Sequence, residues 1–453
     1  MKDFPVGYVA LSKASWVTPE IEGIRQCALE GLRRLPFEIL DGGALTTTTT
    51  EASALSAELN RRGAKAVIVH VCTFPVGATI PVIARELRVP ILLFANPERP
   101  AAGGIWAQNS FCGANMAVHT LRKMGRKYAF VFGPAGEADA LLRRQLNVVK
   151  CMADLASTKI GLVGGRAPGF YSSNCDEMRL RSAIGAEIEI IDLLEIVDTA
   201  GRLDDDEARQ GATEIRLSSA SVCETVGGDI DPAGRLYQAL KKTASKHGLT
   251  SYAIRCWPEW SDIFGIAPCA AMGLLNNNRL AASCEGDVLG AVLMRAQSAL
   301  CGGLPFFADL ISFDSRKNTG VFWHCGAAPS KLCSKFEETR MRRHFRVDGG
   351  DKKGLVNEFA LKPGRITLAQ LDENGDNYRM LIATGTAIDT EPFVRGNPLE
   401  VRFDCPVDTL VSTIMDNGFK HHYSLIHADI AEDLIDLCKW LDIAPVAVGC
   451  AHE

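Results

Sequence analysis

The sequence predicts an α/β protein in which two doubly wound domains precede a β-rich, barrel-like domain. The chain has 453 residues, which is more than one hydrophobic core ordinarily accommodates. Up to about residue 310, short apolar runs alternate with amphipathic stretches, a pattern typical of parallel, Rossmann-like sheets covered by helices on both faces. Beyond that point, short alternating segments separated by turn signals indicate antiparallel strands. We therefore expect domains at residues 1–155, 156–310 and 311–453.

The first domain is predicted to alternate strands and helices regularly. Strands are expected at residues 6–11, 37–40, 66–71 and 90–94, and helices at 19–35, 51–62 and 80–87. Five consecutive threonines, Thr46 to Thr50, precede the second helix. Because a threonine hydroxyl accepts hydrogen bonds from the first helical turn, we expect a loop that ends in a helix cap before Glu51.

The second domain continues the alternation, and the third changes to short strands. Strands are expected at residues 160–165, 251–256 and 281–284, then at 319–323, 354–361, 365–371, 378–384 and 399–403, with a late helix at 430–441. The glycine-rich run from Gly164 to Gly169 fits neither the P-loop nor the dinucleotide-binding pattern. We interpret it as a turn.

Composition excludes several classes of function. The net charge of -5 is spread along the chain, and no basic stripe indicates a nucleic-acid partner. No apolar run is long enough to cross a membrane, and the first residues lack the pattern of a signal peptide. The 15 cysteines are odd in number and include no Cys-x-x-Cys pair, so we expect reduced packing residues in a cytoplasmic protein.

Acidic residues stand at the ends of two apolar runs. Glu285 follows a predicted strand and precedes a helix, at the strand end where α/β sheets bind ligands. Asp287 is placed either to cap that helix or to act in the site. Asp309 lies among apolar residues and is either paired or a ligand, because an unpartnered buried carboxylate is costly.

Two histidine positions could complete a site with these carboxylates. His324 closes one predicted strand, and the pair His421 and His422 opens another. Alternation along an extended strand would send the paired side chains to opposite faces, so only one of them is expected to bind. Carboxylates with one imidazole suit manganese or magnesium, and together these features predict a divalent-metal enzyme. Cys284 is not counted, since it would alternate to the other face.

The same residues resemble the superfamily of L-fucose and L-arabinose isomerases, in its fucose-isomerase-like branch. The motifs that carry the resemblance are Cys284-Glu285-Gly286-Asp287 with Gly290-Ala291, Phe307-Ala308-Asp309, Trp323 to Pro329 and His421-His422, and also Arg255 to Glu259 and Asn109 to Asn115. They follow the family order over nearly the whole chain. The resemblance implies two α/β domains, a β-rich third domain, and interconversion of aldoses and ketoses with Mn²⁺ or another divalent cation such as Mg²⁺ or Co²⁺.

Carried over residue by residue, the resemblance implies that Glu285, Asp309 and His422 are the metal ligands. Our hypothesis is that the free oxygens of Glu285 and Asp309 also shuttle the proton between the two sugar carbons. His324 matches a position that is a ligand or a close neighbour of the metal in the arabinose branch. That branch has a glutamate where this chain has Asp309, so the fucose-like pattern fits better.

The resemblance also implies contacts with a small-molecule sugar and a homo-oligomer, plausibly a hexamer. His324 and Trp257 are the candidate contacts beside the metal site, and a neighbouring subunit would supply Trp106, Gln108 and Asn109. The alternative for this last segment is a loop leading into a helix, with Asn109 or Ser110 as its cap. The chain is shorter than typical fucose isomerases, so its substrate pocket is expected to differ from theirs.

Other functions remain open on the sequence. The same fold and metal site could act on a modified sugar, for example a sulfonated or branched one. A non-catalytic sugar-binding protein is a further alternative, because the first two α/β units alternate like periplasmic sugar-binding domains. Such a protein would not need Glu285, Asp309 and His422 together.

Overall fold

The computed structural model describes residues 3–98, 106–345 and 351–449. The chain divides into two compact units, Met1–Lys150 and Cys151–Glu453. The finer division of the second unit at residue 310 stays a prediction. Among the described residues, no helix is long and apolar enough to cross a lipid bilayer.

The first unit contains a parallel sheet of five strands, which confirms the predicted alternation. Its strands are β1 (Val6–Leu11), β2 (Ile39–Asp41), β3 (Ala66–Val71), β4 (Ile91–Ala95) and β5 (Tyr128–Phe132). The helices are α1 (Pro19–Arg33), α2 (Thr49–Arg61), α3 (Thr79–Glu86), α4 (Ser110–Lys123) and α5 (Asp139–Ala156), which continues into the second unit. The strand order is β2-β1-β3-β4-β5, and all neighbours are parallel.

The threonine run ends in a helix cap, as predicted, although the helix begins earlier within it. The Thr48 hydroxyl accepts a hydrogen bond from the N–H of Glu51, and the Glu51 carboxylate accepts one from the N–H of Thr48. This reciprocal capping box satisfies two N–H groups that the first turn leaves without helical partners. The last two threonines therefore belong to α2 and not to the loop.

The second unit begins with a smaller parallel sheet and its helices. The strands up to residue 284 are β6 (Lys159–Val163), β7 (Glu187–Ile191), β8 (Ser221–Val222), β9 (Ser251–Ile254) and β10 (Ala281–Cys284). The helices of the whole unit after α5 are α6 (Glu177–Ala183), α7 (Leu193–Gly201), α8 (Asp205–Leu217), α9 (Ile230–His247), α10 (Glu259–Asp262), α11 (Cys269–Asn277), α12 (Val288–Cys301), α13 (Val407–Asn417) and α14 (Ala431–Leu441). Four strands form the parallel sheet in the order β10-β9-β6-β7.

The end of the chain is rich in β-structure, as predicted. Its strands are β11 (Pro305–Asp314), β12 (Thr319–His324), β13 (Arg340–Phe345), β14 (Asp351–Glu358), β15 (Gly364–Asn374), β16 (Asn377–Ala387), β17 (Asn397–Phe403), β18 (His422–Ile426) and β19 (Ala444–Val448). Strands pair in the order β15-β18-β11-β12-β17-β16, and a further pairing of β15 with β16 closes the ring. Strand β19 joins β16 in parallel, and β13 lies between β14 and β8 in a separate sheet.

Helix α12 connects the two kinds of sheet within this unit. It packs against β9 and β10 of the parallel sheet and against β11, β15 and β18 of the closed ring. The turn from β10 into α12 therefore lies beside the start of β18, although more than a hundred residues separate them in sequence. This packing brings the predicted acidic and histidine residues together.

Candidate metal centre

Glu285 occupies the turn between β10 and α12 in a strained backbone conformation. Its φ is +59°, and Gly286 follows with φ +74°. A left-handed conformation is costly for a glutamate and is found mainly where the surrounding structure imposes it, often at functional sites. The carboxylate accepts a hydrogen bond from Trp257 Nε1 at 3.3 Å, and its other oxygen lies 3.0 Å from His422 Nε2.

Asp309 and His422 are direct cross-strand partners in the antiparallel pair of β11 and β18. Side chains opposite each other in such a pair share one face of the sheet. Oδ1 of Asp309 lies 3.8 Å from His422 Nε2. This oxygen is buried and has no hydrogen-bond partner within the described residues. A buried carboxylate oxygen without a partner points to a cation or a proton donor that binds there.

Asp287 caps α12, which confirms one of the two alternatives left open by the sequence; it also contacts His422, and its action in the site stays a prediction. One of its oxygens accepts hydrogen bonds from the N–H of Gly290 at 2.9 Å and from Lys420 Nζ at 2.8 Å. The other lies 3.0 Å from His422 Nδ1. Asp287 and His422 are buried, which makes these contacts difficult for water to replace.

These contacts keep the carboxylates ionised. Burial alone would raise the pKa of Glu285, but hydrogen bonds from His421 and His422 lower it to about 2. Burial opposes ionisation of Asp287 as well, yet Lys420 and His422 hold its pKa well below the usual range. Burial would lower the pKa of His422, whereas the hydrogen bonds to Asp287 and Glu285 raise it. Glu285 and Asp287 are therefore negatively charged at neutral pH.

The arrangement of donor atoms fits a hard divalent cation. In an octahedral shell with bonds of about 2.1 Å, neighbouring ligand atoms lie about 3 Å apart. His422 Nε2 lies 3.0 Å from a Glu285 oxygen and 3.8 Å from a buried Asp309 oxygen. One ligand atom each of Glu285, His421 and His422 lies within 4.8 Å of the other two, and Asp309 is not part of that group, so its side chain would have to move to complete the shell. With Nδ1–H donated to Asp287, a neutral His422 presents the Nε2 lone pair to the site.

His421 also faces Glu285, so the argument from strand alternation is wrong here. Its Nε2 lies 3.6 Å from a Glu285 oxygen, and its ring centre is 4.0 Å from that of His422. Strand β18 begins only at His422, and a bend precedes it, so the rule for extended strands does not apply to His421. Its side chain is 43% exposed, which places it at the solvent side of the site.

His324 borders the site from the end of β12. It is buried, and the Phe307 ring lies between it and His422, with centroid distances of 6.3 and 4.7 Å. Its Nδ1 accepts the N–H of Cys325 at 2.9 Å. A ring nitrogen that accepts a hydrogen bond belongs to a neutral imidazole, so the proton of His324 is on Nε2.

The glycine-rich segment after β6 is a turn, as predicted, and it covers the site. The Ala167 N–H donates to the Glu285 carbonyl oxygen at 3.3 Å. The Phe170 ring lies 5.5 Å from both the Trp257 and His421 rings. The contact of this segment with the site was not predicted from the sequence. The paired glycines Gly164 and Gly165 indicate a tight turn, but they do not show which part of the chain the turn packs against.

Arg166 lies on this segment and was not among the site residues predicted from the sequence. Its guanidinium carbon is 4.8 Å from the centre of the Tyr171 ring, and its Cα lies next to Gly286. Throughout residues 3–98, 106–345 and 351–449, no carboxylate forms an ion pair with Arg166. A half-buried arginine that interacts only with an aromatic ring retains its capacity to bind an anion.

Trp106, Gln108 and Asn109 lie in the first unit. Trp106 is exposed, whereas Gln108 is buried with an Oε1 that has no hydrogen-bond partner in the described chain. Asn109 occupies the N-cap position of α4 with φ +52°, but its side chain makes no capping hydrogen bond. Glu98 instead accepts backbone N–H groups of this segment, including that of Asn109 at 2.6 Å. Their expected contacts with substrate stay a prediction.

Comparisons with known proteins point to sugar isomerases. A family model described as "Fucose/sulfoquinovose isomerase, N-terminal domain" matches residues 7–155. A sulfoquinovose isomerase of Priestia megaterium is 28% identical over 448 residues, which are 98% of this chain and 99% of that protein. A sulfoquinovose isomerase of Alkalicoccus urumqiensis is 28% identical over 84% of this chain and 86% of its own length. A solute-binding protein from Burkholderia multivorans covers 65% of this chain and 93% of its own at 12% identity, but its TM-score of 0.20 carries no argument.

Proposed function

We propose that this chain converts a sulfonated aldose into the corresponding ketose with the help of a divalent cation. The premise is that it belongs to the fucose-isomerase-like superfamily of sugar isomerases. The observation that carries this proposal is the convergence of Glu285, Asp309 and His422, with one buried Asp309 oxygen left without a hydrogen-bond partner in the described structure. Relatives over nearly the full length are sulfoquinovose isomerases, which favours a sulfonated sugar over an unmodified one.

Glu285, Asp309 and His422 would hold the cation, for which Mn²⁺, or otherwise Mg²⁺ or Co²⁺, suits two carboxylates and one imidazole. When bound, such an ion polarises the sugar oxygens and acidifies the hydrogen on the neighbouring carbon. The chain contributes the orientation. Asp287 fixes the His422 ring through Nδ1, and Trp257 fixes one Glu285 oxygen.

Isomerisation removes a proton from one sugar carbon and returns it to the adjacent carbon, while a hydroxyl proton moves between the two oxygens. Both movements require a base that is ionised and within hydrogen-bond reach of the substrate. The lowered pKa of Glu285 keeps that carboxylate ionised, and the buried Asp309 oxygen has no described hydrogen-bond partner to compete for it. We assign the proton transfer to these two carboxylates.

Arg166 is our candidate for holding the sulfonate. Sulfoquinovose is glucose with a sulfonate at C6, so its anionic group stands at the opposite end of the sugar from C1 and C2. The backbone of Arg166 is adjacent to the turn that carries Glu285, and its guanidinium has no described carboxylate partner. An arginine fork matches the oxygens of such an anion well.

We also propose the domain division, assembly and location that the family resemblance implies. These are three domains at 1–155, 156–310 and 311–453, a homo-oligomer, and a cytoplasmic location. In that oligomer, Trp106, Gln108 and Asn109 of a neighbouring subunit would complete each sugar pocket. Light scattering of the purified protein tests this part, and a monomer would contradict it.

Turnover of sulfoquinovose to its ketose by the full-length protein is the test of the proposed function. We expect Mn²⁺-dependent ketose formation, detected by NMR, with a higher KM for glucose because glucose lacks the anionic group. Glu285→Gln keeps the shape of the side chain and removes its charge, so kcat should fall by about 10²–10⁴-fold. Glu400→Gln is the matched control, since Glu400 lies on β17 and accepts a hydrogen bond from Thr319 away from the site.

The same assay separates the metal site from the choice of substrate. Arg166→Gln should raise KM for the sulfonated sugar and leave glucose turnover nearly unchanged. Equal activity of wild type and Glu285→Gln would contradict the metal-site assignment. Preference for an uncharged aldose would contradict the sulfonated substrate and leave the isomerase assignment intact.

A further inference from the structure

A second cluster of metal-binding side chains lies in the same unit and is formed by different residues. Cys269 begins α11, Cys325 follows β12, and His344 lies on β13. One ligand atom of each residue lies within 4.8 Å of the other two. Cys269 and His344 are buried, whereas Cys325 is half-buried. The three positions are far apart in sequence, so no short motif reveals them.

The donor atoms of this cluster differ in kind from those of the carboxylate site. Thiolates select zinc or monovalent copper, whereas manganese and magnesium prefer oxygen ligands. Zinc binds thiolates at about 2.3 Å and imidazoles at about 2.0 Å, so the ligand atoms of a tetrahedral site lie about 3.5–3.8 Å apart. Three atoms within 4.8 Å of one another need only small rotations to reach that spacing.

The surrounding structure holds these three side chains in place. Ala267 and Val356 pack with Cys269 in a small apolar cluster that also contacts Cys325. Gly326 has φ +126°, and a side chain there would collide with Val356, so this glycine permits the close approach of Cys325. These apolar contacts line one side of the cluster, and Cys325 is the least buried of its three residues.

We propose that Cys269, Cys325 and His344 bind one zinc ion, with the fourth coordination position open to water. The two thiols release their protons as the ion binds, and His344 donates a ring nitrogen lone pair. A disulfide between the two cysteines would leave the imidazole without a role, which is why we favour a metal. His324 is excluded as a ligand through Nδ1, because that nitrogen accepts the N–H of Cys325.

Such an ion would act as an anchor for the edge of the carboxylate site. Cys325 directly follows His324, whose ring lies 6.3 Å from the Phe307 ring, and Phe307 in turn lies 4.7 Å from the His422 ring. Zinc bound to Cys325 would fix the peptide that carries His324. The cysteine cluster would thus be a positioning element, and its occupancy does not depend on which sugar the protein converts.

Titration of the metal-free, full-length protein with Zn²⁺, in competition with a chromophoric chelator, tests the proposal. In Glu285→Gln, which weakens the carboxylate site, we expect one tightly bound zinc per chain and a thiolate-to-metal charge-transfer band when Co²⁺ is used as the probe. The wild type should show the same band, because the carboxylate site has no thiolate ligand. In the Glu285→Gln background, Cys269→Ser and Cys325→Ser should each lose both signals, whereas Cys438→Ser, at a buried cysteine on α14, should not.

Thermal unfolding keeps the test decisive if a variant folds poorly. Zinc should raise the Tm of the wild type and of Cys438→Ser, and should not raise that of the cluster variants. Wild-type protein that binds no zinc tightly would overturn the proposal. So would zinc binding that survives both cluster variants or disappears with Glu285→Gln. A disulfide between Cys269 and Cys325 in protein purified without air would also overturn the proposal, because the two thiols would then not be available to bind zinc.

Discussion

Asp287 shows how one buried side chain can serve both the fold and the chemistry. Its Oδ1 caps α12 and binds Lys420, and its Oδ2 meets His422 Nδ1. Both oxygens of this aspartate accept hydrogen bonds at a helix N-terminus. The helix dipole and the lysine both stabilise its ionised form. The same carboxylate determines which nitrogen of His422 faces Glu285 and Asp309.

Asp287→Asn should weaken metal binding without removing the helix cap. Asparagine is as good an N-cap as aspartate, so the N–H of Gly290 keeps its acceptor. The new amide would present N–H to His422 Nδ1, which forces the proton onto Nε2 and removes the lone pair needed for ligation. We expect Mn²⁺ affinity, measured by calorimetry on metal-free protein, to fall by about 10–100-fold.

The control for this prediction is Asp192→Asn. Asp192 caps α7 through the N–H of Leu194 at 2.8 Å, so it undergoes the same chemical change at a helix start away from the histidines. Its Mn²⁺ affinity should equal that of the wild type. Wild-type affinity in Asp287→Asn would show that this carboxylate does not orient His422.

At the scale of elements, the turn between β10 and α12 depends on close packing against the turn after β6. A Cβ at Gly286 would collide with the Gly165 carbonyl oxygen and would lie 2.8 Å from the Arg166 Cα. The positive φ of Gly286 adds to the difficulty of any side chain there. Two loops of the parallel sheet therefore touch backbone to backbone, and Glu285 is held at their junction.

Gly286→Ala should destabilise the protein and also impair catalysis. The left-handed conformation alone costs an alanine about 1 kcal/mol, and the collision should bring the total to about 3 kcal/mol or more. Any relief of the collision moves the turn that carries Glu285, so kcat should fall as well. Denaturant unfolding and turnover measure the two effects.

Gly302→Ala is the matched control for this turn. Gly302 ends α12 with φ +70°, but a Cβ there would meet nothing within 4 Å. It should cost only the conformational penalty of about 1 kcal/mol and leave turnover unchanged. Equal effects of the two substitutions would mean that the close backbone contact affects neither stability nor turnover.

At the scale of the whole molecule, the first unit has its own buried titratable group. His70 lies within β3 and is fully buried. Its Nδ1 is 2.7 Å from the Tyr8 hydroxyl, and its Nε2 is 2.5 Å from Asn96 Oδ1. These two contacts satisfy a neutral imidazole. Burial lowers the pKa of His70 from 6.5 to about 4; the hydrogen bond with Asn96 opposes this shift, and the positive charge of Arg25 adds to it.

The pKa of His70 predicts a loss of stability in mild acid. Between pH 6.5 and about 4 the unfolded chain binds a proton that folded His70 does not, so stability falls as the pH falls through this window. Over the whole window, the loss amounts to about 3 kcal/mol in the free energy of unfolding. Denaturant unfolding of the full chain at a series of pH values should show this slope in the wild type.

In His70→Gln, the part of this pH dependence that comes from His70 should disappear, so the slope between pH 6.5 and about 4 should be shallower than in the wild type. Glutamine can still accept from Tyr8 or donate to Asn96 but does not titrate. His119→Gln, at an exposed histidine of α4 in the same unit, should retain the wild-type slope. A slope unchanged by His70→Gln would assign the acid sensitivity to other groups.

The local pattern of residues was sufficient to predict most elements of the first unit and several around the site. Apolar runs such as Val6–Leu11 and Ala66–Val71 are strands with the bounds expected from periodicity. Helix α13 and strand β19 were not predicted. Strand β19 pairs in parallel with β16. Local patterns cannot reveal a partner of that kind.

Residue patterns along the chain were sufficient to predict an α/β protein with a β-rich end and to single out Glu285 and Asp309, whereas the choice of His422 among the histidines came from the family resemblance. Charged residues at the ends of apolar runs are costly to bury, so such positions can be recognised from the order of residues alone. Only the tertiary structure brought His422 opposite Asp309, turned His421 toward Glu285, and assembled the cluster of Cys269, Cys325 and His344. Strand register and helix packing decide such contacts, because they depend on pairing between segments that are distant in sequence.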